Sequence, residues 1–422
     1  MHTDPSGHCQ NRPQALCFSA NSMSTETRNT GPESRFTELD SVRALAALWV
    51  FAYHVWQFGG SPELLVPIGG LSLDCFGLIK HGPAGVDVFM VLSGFCLFWP
   101  LTHPSNSFHW RSYAIKRVRR ILPAYYGAIA FAILLPLALV PLVRLAGWQA
   151  NFQPIPSFRQ IASHLLLIHT LFPDTWDGIT GAFWSMGLEA QFYVVFPFLA
   201  FGWKKIGGSI IAYAALASVV FRVCVGLFFP DSTSTESFLL SITFLGRWMQ
   251  FAAGMASALW VRYQRERPAS AVSPVPWALL TGTGIALGLA GLLAPNFLVK
   301  SPIPFRDLFL ATGSAALLAG ICTTPPRYKL PLLRGALPYM GRISYSFFLI
   351  HQPTSWYAME FFRKKLGFSR EIQVLMGYTV GLLICIVCTS IFYRLFEKPF
   401  LKTVAPQAAK PAIASRQAES IA

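Results

Sequence analysis

The stretch SVRALAALWVFAYHVWQF, residues 41–58, is long and apolar enough to form one transmembrane helix. It carries Arg43 near its start and His54 near its end. An arginine or a histidine is costly to place in lipid, so such residues usually serve ligand binding or chemistry rather than packing. The segment therefore predicts both a membrane helix and the location of the functional site.

The composition of the whole chain agrees with a membrane protein. Of its 422 residues, 53% are hydrophobic, 14% are aromatic and only 13% are charged, which is far from the balance of a soluble domain. The formal net charge is +15. Because the basic residues lie in short loops between apolar segments, they indicate membrane topology and argue against a nucleic-acid partner.

Ten apolar runs have about the length that a transmembrane helix requires. They are 41–58, 84–101, 123–145, 183–202, 207–229, 238–261, 276–299, 307–324, 338–358 and 374–396. The pattern predicts an all-α, polytopic integral membrane bundle of about ten helices. The polar segments outside this domain (36–402) predict a disordered N-terminal tail, 1–35, and a disordered C-terminal tail, 403–422.

Alternate loops share clusters of basic residues and are predicted to be cytoplasmic by the positive-inside rule. These residues are Arg111, Lys116, Arg117, Arg119, Arg120, Lys204, Lys205, Arg262, Arg265, Arg267, Arg327, Lys329 and Arg334. Both termini are therefore expected in the cytoplasm. One loop predicted to lie outside runs against the rule, because it holds Arg363, Lys364, Lys365 and Arg370.

Helix rise gives the expected depth of each charged residue. At ~1.5 Å per residue, His54 lies ~16 Å further out than Arg43. The same reasoning puts Asp87, Glu189 and His351 in the outer layer with His54. A histidine with a neighbouring carboxylate suits general-base chemistry, so we expect His54 and Glu189 to form a catalytic pair. Asp87 and His351 are further candidates, and the alternative for each is a structural hydrogen bond between helices.

Basic residues concentrate at the inner end of the bundle. Arg43 lies there within the first helix, and Lys116, Arg117, Arg119 and Arg120 precede the third helix. Arginine is a bidentate partner of phosphate, so these side chains are candidates for binding a phosphorylated ligand. Membrane anchoring is the alternative for the loop residues, but it does not require an arginine inside a span.

Six motifs, taken together and in this order, resemble membrane acyltransferase family 3, which O-acetylates bacterial surface glycans. The motifs are FTELDSVRALAALWVFAYHVW (36–56), GVDVFMVLSGFCLF (85–98), RVRRILPAYY (117–126), FWSMGLEAQFYVVFP (183–197), ISYSFFLIHQP (343–353) and FEKPF (396–400). The resemblance implies that His54 is catalytic and that Arg43, Arg117 and Arg120 bind the acyl donor. It also implies a multi-pass protein of the bacterial inner membrane.

The resemblance further implies a substrate for each side of the membrane. Acyl-coenzyme A, most often acetyl-coenzyme A, would bind at the inner arginines as a co-substrate, with no permanently bound cofactor. A hydroxyl of an extracytoplasmic glycan or glycolipid would accept the acyl group near His54. Direct transfer and an acyl-enzyme intermediate both remain open, as do the identity of the acceptor and the oligomeric state.

Two alternatives follow from the residues themselves. Charges within membrane helices are also typical of a proton-coupled secondary transporter of small molecules, although the chain shows no internal repeat of the kind such transporters have. His54, His351 and Glu189 could form a metal-ligand set. No helix carries these ligands at a metal-binding spacing, so we predict no metal.

Overall fold

The computed structural model describes residues 36–401, apart from residues 70, 146, 148–153, 230–232, 268–274 and 295–304. The two predicted tails, 1–35 and 403–422, lie outside the described residues. The described part of the chain is mostly helical, as the apolar runs predict. Its few extended residues form a short antiparallel hairpin of β1 (Leu65–Ile68) and β2 (Leu71–Asp74).

The described helices are numbered in chain order. They are α1 (Thr37–Phe58), α2 (Gly77–Lys80), α3 (Ala84–Phe98), α4 (Trp110–Leu145), α5 (Phe158–Leu165), α6 (Trp184–Ile206), α7 (Ser209–Phe228), α8 (Thr233–Ile242), α9 (Phe244–Glu266), α10 (Val275–Leu292), α11 (Phe305–Thr323), α12 (Leu330–Leu333), α13 (Ala336–Lys364), α14 (Arg370–Met376) and α15 (Leu382–Phe392). Two π-helical segments, Gly377–Gly381 and Tyr393–Glu397, follow α14 and α15.

A helix stands at each of the ten apolar runs, so the all-α class is confirmed. Within the described residues, five helical segments are long and apolar enough to cross a membrane by length and composition. They are Ala84–Thr102, Trp110–Leu145, Ser209–Phe228, Phe305–Thr323 and Arg370–Phe400. The count of ten spans and the cytoplasmic location of both termini stay predictions.

Helices α1 and α13 pack side by side and run parallel, and this packing builds the site. Near their first turns, a Cβ added at Gly341 would lie 1.9 Å from the carbonyl oxygen of Asp40, so only glycine allows the two backbones to come so close. Further along, His54 of α1 meets His351 of α13. Close backbone contact at a small residue is a common way to hold membrane helices together.

Helix α3 lies against α9 in the same manner. A Cβ at Gly94 would lie 2.1 Å from the carbonyl oxygen of Phe251, so glycine is again required at the crossing. Large side chains fill the core around this contact, and Phe95, Phe98, Phe192 and Phe251 are essentially inaccessible to solvent. The rigid packing of α3 fixes which of its side chains face α9 and which face the cavity described below.

Candidate active site

An internal cavity opens between α1, α3, α4, α6 and α13 and holds about 980 Å³ of empty space, including solvent at its mouth. Along α3 it extends from Val86 to Leu97, which corresponds to ~16 Å of helix rise. Four of the predicted site residues line its wall. They are Arg43, Arg117, Arg120 and Glu189.

Arg43 is held at the cavity wall by two contacts. Its Nη1 donates to Oδ1 of Asp40 at 2.9 Å, and its Nη2 donates to Sγ of Cys96 on α3 at 2.9 Å. Asp40 lies in the first turn of α1, where a carboxylate also interacts favourably with the helix dipole. The guanidinium is therefore fixed in direction beside the cavity, as a ligand-binding cation needs to be.

Arg117 and Arg120 stand where two spaces meet. Both line the internal cavity, and both also line a basic cleft on α4 with an empty volume of about 1360 Å³, surrounding solvent included. The other cationic side chains of the cleft are Arg111, Lys116 and Arg119. The buried Nε of Arg117 has no hydrogen-bond partner among the described residues. A buried N–H without a partner is costly, so this donor is suited to binding a ligand.

Glu189 faces the cavity and contacts residues other than His54. The hydroxyls of Ser93 and Tyr193 donate to its Oε1, the first at 3.4 Å. The expected pairing of Glu189 with His54 is therefore wrong in this structure, where the hydrogen-bond partners of His54 are Val50 and His351. Helix rise gives the height of a residue but not the direction of its side chain, and α6 directs Glu189 toward α3 and α4.

His54 and His351 form a hydrogen-bonded pair, with 3.1 Å between His54 Nδ1 and His351 Nε2. The direction of this bond follows from the backbone. The carbonyl oxygen of Phe348 lies 2.7 Å from His351 Nδ1 and can only accept, so the neutral ring of His351 carries its proton on Nδ1. His351 Nε2 is then an acceptor, and His54 Nδ1 donates both to it and to the carbonyl oxygen of Val50 at 3.0 Å.

This assignment leaves the lone pair of His54 on Nε2. A neutral imidazole with its Nδ1–H held by acceptors has the tautomer and the orientation that a general base requires. The sequence placed His351 in the same layer as His54, and in the structure the two side chains meet. His351 thus orients the ring of His54, the task that the sequence assigned to Glu189.

One phenylalanine of the cavity wall connects the cavity to the histidine pair. Phe89 and Phe348 both line the cavity, and their ring centroids lie 5.6 Å apart. The Phe348 ring also contacts the ring of His351 with centroids 5.5 Å apart. A molecule filling the cavity would therefore end one aromatic ring away from the histidines.

Asp87 lies on the opposite face of α3 in a buried ion network. Its Oδ1 accepts from Arg247 Nη1 at 2.6 Å and from Gln250 Nε2 at 2.9 Å, both on α9. Arg247 also lies 3.6 Å from Asp307 of α11, which pairs with Arg222 of α7. The expectation that Asp87 shares a site with His54 is not met, because its carboxylate points toward α9 and away from the cavity.

Sequence reasoning missed Tyr193 and Arg247. Tyr193 follows Glu189 by four residues, a spacing that places two side chains on one face of a helix and could have indicated the contact. Arg247 is an arginine within a mostly apolar segment, the same signal that drew attention to Arg43. Glu397 of the FEKPF motif is buried and accepts a hydrogen bond from the hydroxyl of Ser346 at 2.5 Å, which fits a structural role.

The fold and the site together define a class of protein. A basic cleft leads through an arginine-lined cavity toward a histidine whose free nitrogen can accept a proton, and all of these parts lie in a bundle of membrane helices. Such an arrangement is typical of a membrane enzyme with a site for a small-molecule substrate. Among the described residues, no set of three or more His, Cys, Asp or Glu side chains is placed to hold a metal ion.

Residues 36–394 match the model of acyltransferase family 3, which is described as an acyltransferase domain. The match covers most of the chain, so the protein belongs to this family and is an acyltransferase. Family membership decides against the transporter alternative. It also agrees with a multi-pass membrane protein.

Named relatives show the range of the family. The chain is 25% identical over 388 residues to acyltransferase MdmB of Streptomyces mycarofaciens, covering 87% of this chain and 92% of the relative. It is 28% identical over 167 residues to peptidoglycan O-acetyltransferase OatA of Listeria monocytogenes, covering 38% of this chain and 23% of the relative. It is 25% identical over 354 residues to exopolysaccharide production protein ExoZ of Rhizobium meliloti, covering 80% and 95%. No solved structure matches the chain.

Proposed function

We propose that the protein moves an acyl group, acetyl in the first instance, from cytoplasmic acyl-coenzyme A to a hydroxyl of an extracytoplasmic glycan or glycolipid. It would act as a multi-pass protein of the bacterial inner membrane, with the donor as a co-substrate. One observation carries the proposal. The basic cleft and the internal cavity share Arg117 and Arg120, and the cavity wall includes Phe348, whose ring contacts that of His351.

The shape of this path fits a donor with a phosphorylated head and a long neutral arm. Phosphates would bind in the basic cleft, where guanidinium groups offer bidentate hydrogen bonds. The arm would extend through the cavity along α3, whose lining of ~16 Å from Val86 to Leu97 places its far end near Phe89 and Phe348. The thioester would then lie beside Phe348, whose ring contacts that of His351.

The chemistry assigned to this chain is proton transfer at His54 Nε2. The acceptor hydroxyl would give its proton to this nitrogen while its oxygen bonds to the thioester carbonyl carbon. The carbon–sulfur bond then breaks, and the thiolate takes the proton back from His54. His351 Nε2 accepts from His54 Nδ1 throughout and so holds the ring in place. A two-step route through an acyl-enzyme would use the same base.

The names of relatives support the acceptor class. One relative is named a peptidoglycan O-acetyltransferase and another an exopolysaccharide production protein. Both names refer to a bacterial polysaccharide. A glycan hydroxyl is therefore the acceptor that we propose for this chain.

The test is the His54→Ala variant of the purified protein, assayed for release of free thiol from acetyl-coenzyme A. Removing a general base typically slows turnover by about 10²- to 10⁴-fold, so we expect a loss in this range with thermal unfolding unchanged. His103→Ala is the control, because that histidine bonds Ser105 in a loop away from the cavity. Full activity of His54→Ala, or no thiol release by the unaltered protein, would contradict the proposal.

A further inference from the structure

A second space lies beyond the histidine pair. It is a groove with an empty volume of about 650 Å³, surrounding solvent included, between the last turn of α1 and the C-terminal half of α13. Its wall includes Gln57 and Phe58 from α1 and Trp356, Glu360 and Arg363 from α13. These five residues are called the outer groove below.

The outer groove and the donor cavity lie on opposite sides of the histidines. On α13, Phe348 of the cavity precedes His351 by three residues, and Trp356 of the groove follows it by five. On α1, Phe58 of the groove follows His54, and the two ring centroids are 5.8 Å apart. Because α1 and α13 run parallel, the order along both helices is cavity, histidine, groove.

The outer groove combines flat apolar rings with planar polar groups. The rings of Phe58 and Trp356 stand perpendicular, with centroids 5.1 Å apart. Beside them the buried carboxylate of Glu360 accepts from the exposed guanidinium of Arg363, so this pair carries no net charge. The amide of Gln57 is exposed and can both donate and accept.

This chemistry selects a class of ligand. A sugar ring presents an apolar face of C–H bonds, which packs on aromatic rings, and a rim of hydroxyls, which bond to amide, carboxylate and guanidinium groups. An anion would meet a guanidinium that is already paired with Glu360. A fatty chain would leave the polar groups of the groove unsatisfied. A neutral sugar is the ligand that can contact both the aromatic rings and the polar groups of the outer groove.

We propose that the outer groove binds a neutral sugar ring of the acceptor and holds one of its hydroxyls toward His54 Nε2. This inference rests on the proposed function. In the transfer, the sugar oxygen forms a bond to the acyl carbon, the carbon–sulfur bond to the donor breaks, and the hydroxyl proton passes through His54 to the leaving sulfur. The products are a sugar ester and a free thiol.

The proposal also explains an irregularity of the sequence. The loop that begins with Arg363 is basic although it is predicted to lie outside, against the positive-inside rule. In the structure Arg363 lines the groove and pairs with Glu360. The side chain of Arg370 from the same cluster lies beside Gly60, another residue of the groove wall. A ligand-binding role accounts for basic residues where topology alone does not expect them.

The experiment measures acetyl transfer by the purified full-length protein to a stated probe, the envelope polysaccharide of the producing bacterium after removal of its O-acetyl groups with mild base. The variants are Trp356→Ala and Gln57→Ala, and Trp260→Ala is the matched control, since Trp260 lies on α9 against Tyr263. Two constants are compared: the apparent KM for the polysaccharide and the apparent KM for acetyl-coenzyme A.

We expect Trp356→Ala to raise the KM for polysaccharide about tenfold or more and Gln57→Ala to raise it about threefold, by loss of stacking and of a hydrogen bond. The KM for the donor should stay within about twofold in both, and Trp260→Ala should change neither constant. An unchanged polysaccharide KM in both variants, or an equal rise in the donor KM, overturns the groove assignment. Failure of the unaltered protein to acetylate the polysaccharide would instead overturn the proposed function on which it rests.

Discussion

The two faces of α3 carry buried charge in two different ways. On one face, Asp87 belongs to a network in which carboxylates and guanidinium groups pair with one another across α7, α9 and α11. On the other face, Ser93 and Cys96 contact Glu189 and Arg43, which line an open cavity. The charges of the first group pair with one another, whereas those of the second line an open cavity that could admit a ligand.

The difference shows how buried charges of structural and functional kinds can be told apart. A closed network satisfies its members with protein atoms, and removing one of them leaves the others unpaired. A cation at a cavity wall keeps donors for a molecule that is not part of the chain. The sequence signal is the same in both cases, a charge within an apolar segment, so only the surroundings distinguish them.

The largest effect should follow from breaking the closed network. Asp87→Ala leaves Arg247 buried without its nearest carboxylate, and breaking a buried pair in this way typically costs about 3–5 kcal/mol. We expect a marked drop in the unfolding temperature of the protein in detergent. The protein that remains folded should keep the donor KM of the unaltered protein. A stable variant with a raised donor KM would instead assign Asp87 a role in binding the donor.

Arg117→Ala should weaken donor binding and leave stability almost unchanged, the reverse of Asp87→Ala. A hydrogen bond to a charged group contributes about 1.5–3 kcal/mol, so losing the phosphate contact should raise the KM for acetyl-coenzyme A about 10- to 100-fold. The unfolding temperature should change little. Arg334→Ala is the control, because this arginine is exposed in another basic loop. Equal donor constants in the two variants would remove Arg117 from the donor site.

The smallest effect concerns a second histidine pair. This pair allows the comparison between structural and functional buried groups to be made for imidazoles as well. The rings of His164 and His169 stack with centroids 4.0 Å apart in the segment between α4 and α6, which is predicted to lie outside the membrane. Both are fully buried. Burial, reinforced by the neighbouring His164, lowers the pKa of His169 from 6.5 to about 4. The rings of His164 and His169 stack face to face, whereas His54 and His351 are joined by a hydrogen bond.

The sign of the pH effect follows from the two pKa values of His169. Between pH 6.5 and about 4 the unfolded segment binds more protons than the folded one, so its free energy of unfolding rises with pH. Stability is full above pH 6.5 and is lost as pH falls, by about 1 kcal/mol at pH 5.5. The protection factors of residues 158–183 against hydrogen exchange, corrected for the intrinsic pH dependence of exchange, should fall at pH 5.5, and His169→Gln should flatten this dependence. The same pH slope in the variant would assign it to other groups.

The sequence predicted the helices well and the contacts between them only in part. Hydropathy marks where a helix runs, and helix rise gives the separation of His54 from Arg43 along one axis. Whether Glu189 or His351 meets His54 depends on how each helix is rotated, which a single apolar stripe does not define in a bundle that is buried on several sides. In the structure His351 meets His54, and Glu189 does not.

The arginines illustrate the same limit. The basic cluster before the third helix fits an anchor and a phosphate site equally well, because both uses require the same residue types. The structure adds that Arg117 and Arg120 connect two spaces, which no spacing in the sequence could show. The outer groove was missed altogether, since Phe58 and Trp356 look like ordinary interfacial aromatic residues.

The contact of Phe89 with Phe348 has a consequence for the energy of the cell. In the proposed orientation, the donor cavity is reached from one side of the membrane and the outer groove from the other, and these two rings lie on the cavity wall next to His351. A continuous column of water there would conduct protons and dissipate the electrochemical gradient. An apolar constriction excludes water and so prevents such conduction. The protein would thus bring together substrates from both sides without becoming a channel.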